Sequence, residues 1–99
     1  MKLLTKEIIK QIPNRSEDSL EARVYVKFFH PLKRWTWYAS EYDQESGIFF
    51  GWVKSGIDSN YDELGYWSLA ELESVPMIER DINWNNKITL GQVKKGEAS

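Results

Sequence analysis

The sequence predicts an α+β domain: a small antiparallel sheet, a three-stranded meander plus a further strand, with two or three short helices. Three observations carry that class. Residues 22–29 and 34–42 alternate side-chain character with the period of a strand, and only a short turn separates them, which suits an antiparallel hairpin. Thr5, Ser68 and Thr89 each stand where a hydroxyl can cap a short amphipathic helix. At 99 residues the chain has enough surface to bury for one core and too little for two, so residues 1–99 are expected to form a single domain.

Taken in order, Thr5 precedes KEIIKQI, where Ile8, Ile9 and Ile12 line one side of a helix that Pro13 closes. Residues 14–21, NRSEDSLE, are polar turn formers and read as a loop. ARVYVKFF, residues 22–29, is a strand with Ala22, Val24, Val26 and Phe28 on one face and Arg23, Tyr25, Lys27 and Phe29 on the other. His30 and Pro31 turn the chain, Pro31 with its fixed φ and no donor. RWTWYASEY, residues 34–42, follows as a second strand, with Trp35, Trp37 and Ala39 opposed to Thr36, Tyr38 and Ser40.

DQESG at 43–47 is the next turn, and IFFGWVKS at 48–55 is a third strand, apolar on both faces and therefore central. Gly51 inside it marks a bulge or a close approach of another segment. GIDSNYDELG, residues 56–65, reads as a polar loop, and YWSLAELESVP as a helix with a Ser68/Glu71 capping box that ends before Pro76. MIERDINW, residues 77–84, alternates as a fourth strand, with Arg80 turned inward toward a carboxylate partner. Thr89, Leu90 and Val93 give a last helical turn, and the tail from about 94–99 is expected to fray.

The chemistry is bounded as firmly. There is no cysteine, so no disulfide, thiol nucleophile or thiolate metal site is possible. His30, the one histidine, sits in a turn with no nucleophile or orienting carboxylate beside it. The carboxylates Glu63, Glu71, Glu73, Glu79 and Asp81 lack the spacing of a metal loop, and GWVKSG lacks that of a phosphate loop. The expectation is a protein that is not an enzyme and needs no cofactor. The N-terminal apolar run is broken by Lys6, Glu7 and Lys10, unlike a signal peptide, and no segment has the roughly 20 apolar residues of a membrane span. A soluble, cytoplasmic chain is expected.

A net charge of −2 conceals a polarity along the chain. Residues 1–37 hold eight basic residues against four acidic, residues 38–86 two against ten, and residues 87–99 three against one. An acidic block of this kind either solvates a face or attracts basic surfaces such as the phosphate-binding channels of nucleases. On the attractive reading the candidate contacts are Glu41, Asp43, Glu45, Asp58, Asp62 and Glu63, with Trp52 or Tyr61 as a ring anchor. On the opposite reading Arg23, Tyr25, Lys27 and Phe29 form a basic aromatic strand face on which single-stranded nucleic acid could stack.

The stretches LLTKEI at 3–8, VKFF with Pro31 and WTWY within 26–38, FFGWV at 49–53, ELGYWSLAELES at 63–74 and IERD at 78–81 resemble a family of small proteins from phages, plasmids and other bacterial mobile elements, a domain of unknown function. The resemblance runs from Leu3 to about Leu90 and leaves out Gly56 to Asp62 and the tail. It implies an accessory gene that travels with antirestriction genes. The expected function is therefore a non-enzymatic inhibitor that binds a host defence protein, a CRISPR effector or a restriction enzyme, through an acidic surface that mimics nucleic acid. The alternative is a single-stranded nucleic-acid binding accessory protein.

Overall fold

The computed structural model describes residues 2–15 and 20–96. Its elements run α1 (Lys6–Gln11), β1 (Val26–Phe29), β2 (Thr36–Asp43), β3 (Ile48–Lys54), a 3-10 turn (Ser59–Tyr61), β4 (Glu63–Ser68), α2 (Leu69–Ser74), β5 (Glu79–Arg80) and α3 (Leu90–Lys94). The strands form one antiparallel sheet in the order β4-β3-β2-β1-β5. The α+β class is as the sequence predicts. The strand count is corrected, because the segment read as a loop up to Gly65 contains the first half of β4, and the start of the segment read as a helix, Tyr66–Ser68, contains the other half.

Each helix starts at the expected cap. The side chains of Thr5, Ser68 and Thr89 accept from the N–H groups of Ile8, Glu71 and Gln92, and Thr89 and Gln92 close a reciprocal box. The expected strand over 77–84 contracts to Glu79–Arg80. Its physical reason is local: the Asp81 carboxylate accepts the Asn83 N–H at 2.9 Å, and the Asp81 carbonyl accepts from Trp84, so the chain turns where alternation would have carried it straight. Of the expected loop 14–21, residues 16–19 lie outside the described residues, as do residues 97–99 of the expected tail.

The sheet is packed on both faces. One core gathers Val26, Phe28, Ala39, Tyr42, Phe49 and Trp67 under Leu3, Leu4, Ile12, Leu72 and Ile78, with Phe49 at its centre: rings of Tyr42, Phe28 and Trp67 stand 4.5, 5.3 and 5.6 Å away. The other gathers Val24 and Tyr38 under Leu90 and Val93 of α3, with Trp52, Trp84 and Ile88 at its border. Burying each such aliphatic or Phe side chain contributes about 1.5–3 kcal/mol, which is why so small a domain uses both sheet faces.

Two irregularities decide which residue goes to which face. Tyr25 donates its N–H to the Ala39 carbonyl while Val26 is the residue in register with Ala39, so two residues of one strand oppose one of the other. Val24 therefore joins the second core, and Val26 and Phe28 the first, which splits the single apolar face expected over 22–28. On β2 the register shifts between Ala39 and Glu41. The extra residue, Ser40, is fully buried and donates its hydroxyl to the Phe50 carbonyl at 3.2 Å.

Candidate protein-binding surface

Beyond β3 the chain enters a closed turn built by Ser55, which is 1% exposed. Its hydroxyl donates to the Asp58 carbonyl at 2.9 Å and accepts from the N–H groups of Ile57 and Asp58, while its own N–H donates to the Asp62 carboxylate at 2.7 Å. Asp58 in turn caps the 3-10 turn by accepting from Asn60 at 2.9 Å. With the backbone so occupied, Ile57 and Tyr61 stand in solvent, 78% and 67% exposed. Tyr66, the fourth residue of β4, is 75% exposed, with its ring 4.8 Å from that of Phe50 on β3.

Charge is one-sided along this segment of the sequence. Residues 55–79 contain Asp58, Asp62, Glu63, Glu71, Glu73 and Glu79 and no Lys, Arg or His. Exposed apolar groups beside these carboxylates, flanked by Lys54 at the end of β3 and by Arg34 against Gly56, make a surface that a basic partner can desolvate at a gain.

The predicted acidic contacts do not form one patch. Asp43 and Glu45 lie in the β2–β3 turn, where Asp43 accepts the Glu45 N–H at 3.0 Å, whereas Asp58, Tyr61, Asp62 and Glu63 lie at the other end of β3. Seven residues of strand separate the two groups by about 20 Å. Glu41 sits between them in register with Phe50, in the same row as Tyr66. Trp52 is half-buried against the second core and packs there. Ile57 and Tyr66 are the exposed apolar residues that sequence reasoning left out. For Tyr66 the signal was present as Leu64 and Tyr66 alternating with Gly65 and Trp67.

The basic aromatic face does not assemble either. The bulge at Tyr25 sends that ring to the border of the first core, and Arg23 bridges to Thr89. Lys27 and Phe29 do share a face, beside a shallow cavity of about 340 Å³ lined also by Glu79, Arg80, Asp81 and Ile82. Its lysine is already engaged: Nζ lies 3.7 Å from the Asp81 carboxylate and 5.8–6.0 Å from the ring centres of Phe29, Tyr38 and Trp84. Arg80 donates to the Lys2 carbonyl, tying β5 to the N-terminal segment.

The acidic field reaches the core. The Tyr38 phenol is held above its ordinary pKa, first by burial and then by Asp62 and Asp81; Tyr42 is raised by burial, then by Glu73 and Asp43. Among the described residues no group of three or more His, Cys, Asp or Glu side chains stands close enough to hold a metal ion, and no helix is long and apolar enough to cross a membrane.

A family model described as "Protein of unknown function (DUF2958)" matches residues 2–96. No curated protein and no solved structure matches the chain.

Proposed function

We propose that this chain, which belongs to the DUF2958 family of proteins of unknown function, is a non-enzymatic binding module of a bacterial mobile element that inhibits a host defence protein of the CRISPR or restriction type in the cytoplasm. One observation carries the reading: the exposed Ile57, Tyr61 and Tyr66 stand within a segment, residues 55–79, that has six carboxylates and no cation. Such a surface is repelled by nucleic acid and drawn to the basic channels in which defence enzymes hold it. Carboxylates there take the place of phosphates, and the rings supply the desolvated anchors that charge alone lacks.

The test is a nuclease-treated pull-down of tagged protein from a lysate expressing CRISPR and restriction effectors, followed by an activity assay of whatever effector is retained. Stoichiometric capture and inhibition, both weakened by Glu63→Lys with Glu71→Lys and by added salt, support the proposal. Capture that survives both changes overturns the acidic surface. Capture only with nucleic acid left intact moves the function to Lys27 and Phe29.

A further inference from the structure

The two edges of the sheet are finished differently. At one end β5 is two residues long, and Arg80 is tied down by the Lys2 carbonyl, so little main chain is offered there. At the other end β4 runs for six residues, Glu63–Ser68, as the last strand of the order. Its one charged residue, Glu63, stands at its first position, and it carries no lysine, proline or bulge.

Hydrogen-bond parity identifies the groups it exposes. The Leu69 N–H donates to the Gly47 carbonyl at 2.9 Å, and in an antiparallel ladder such bonds recur at every second residue. Trp67, Gly65 and Glu63 therefore bond to Phe49, Gly51 and Val53, their partners in register. The N–H and C=O groups of Leu64 and Tyr66 point away from the sheet, and among the described residues neither enters a main-chain bond outside the β3 ladder. Side-chain space is present too: a Cβ at Gly65 would meet nothing within 4 Å.

We infer that the β4 edge is a docking site for an extended, basic segment of a partner protein, which adds to the sheet as a sixth strand beside Leu64 and Tyr66. Main-chain bonds to these two residues supply register, the exposed Tyr66 ring covers an apolar side chain of the incoming strand, and the space over Gly65 receives another. Charge selects the occupant. A second copy paired through the same edge would bring two cation-free segments together, carboxylates facing carboxylates, whereas a lysine- or arginine-bearing strand meets Asp62 and Glu63 at one end and Glu71 beyond the other. This inference rests on the proposed binding of a basic partner and adds how that partner is held.

The experiment uses the full chain and three capped peptides: one alternating lysine and valine, its glutamate counterpart, and the lysine peptide with alternate main-chain nitrogens methylated. Residue-resolved amide exchange by NMR is the readout. The lysine peptide is expected to slow exchange at Leu64 and Tyr66 while leaving Gly65 and Trp67 unchanged, and methylation is expected to weaken it about tenfold by removing main-chain bonds. Equal binding by the methylated peptide, or binding without protection at Leu64 and Tyr66, overturns strand addition and leaves the acidic-partner reading standing. Equal binding by the glutamate peptide overturns the charge selection and that reading with it. Failure of every peptide to bind overturns the edge site, while the effector pull-down still tests the acidic surface. Protection of Leu64 and Tyr66 that rises with protein concentration alone assigns the edge to a second copy and overturns the inference.

Discussion

The backbone of Gly51 on β3 lies against the carbonyl of Tyr38 on β2, so closely that a Cβ at Gly51 would overlap the Tyr38 oxygen and touch the Ala39 Cα at 3.0 Å. The approach falls beside the β2 bulge, where the strand bends and its local twist increases. Because the obstacle is main chain in the middle of the sheet, it cannot swing aside. Gly51→Ala is expected to cost about 2–3 kcal/mol, seen as a lower denaturant midpoint at unchanged slope. Gly65, its partner in register, has free space, so Gly65→Ala is expected to be neutral or to stabilise by up to about 1 kcal/mol.

His30 makes a second prediction. It is buried, and its Nδ1 accepts the N–H groups of Leu32 and Lys33 at 3.2 and 3.0 Å, which leaves the ring proton on Nε2. The imidazole is the acceptor that closes the β1–β2 turn. His30→Ala should destabilise by about 1–3 kcal/mol, since both donors lose their partner, and His30→Asn should recover part of the loss through its amide oxygen. A loss under about 0.5 kcal/mol in thermal or denaturant unfolding would falsify this role.

The bond from the Ser55 N–H to Asp62 separates folding from binding at the candidate surface. Asp62→Ala removes a charged acceptor from a buried donor and is expected to cost about 1.5–3 kcal/mol, whereas Asp62→Asn keeps an acceptor and should cost less. Glu63 is exposed at the first position of β4, so Glu63→Lys should leave the midpoint within about 0.5 kcal/mol. An effect of Glu63→Lys on partner capture then reports the surface itself. Equal destabilisation by Asp62→Ala and Asp62→Asn would mean that the charge, and not the acceptor, holds the turn.

The parts of the fold legible in the sequence are those with local causes. Thr5, Ser68 and Thr89 announce their helices because a cap acts within three residues, and Gly51 announces a close contact because nothing else suits one. Bulges are not legible in this way. Whether Tyr25 adds a residue opposite Ala39 depends on which core Val24 finds, and α3 supplies that core from the far end of the chain. The same displacement undid the face from Arg23 to Phe29. β4 was hidden because Gly65 interrupts its apolar pattern and Asp62 and Glu63 resemble loop residues, while its pairing to β3 is long-range. For the candidate site, the carboxylates were readable as a composition, but their division between two ends of β3 is a property of the meander.

The raised phenols give the domain a specific alkaline weakness. Burial and nearby carboxylates favour the protonated form of Tyr38 and Tyr42 in the fold, so above the usual phenol value near 10 the native chain holds protons that the unfolded chain has released. Their contribution is complete below about pH 10 and is lost as pH climbs from there through the raised native values. Titration of phenolate absorbance should therefore show components at higher pH than free tyrosine, which Tyr38→Phe and Tyr42→Phe remove one at a time. Asp81→Asn should bring the Tyr38 component down without abolishing its elevation, because burial is the larger cause. If Tyr38→Phe leaves both the titration and the alkaline unfolding midpoint where they were, the second core is open to water at Tyr38, and the packing of α3 over it is wrong.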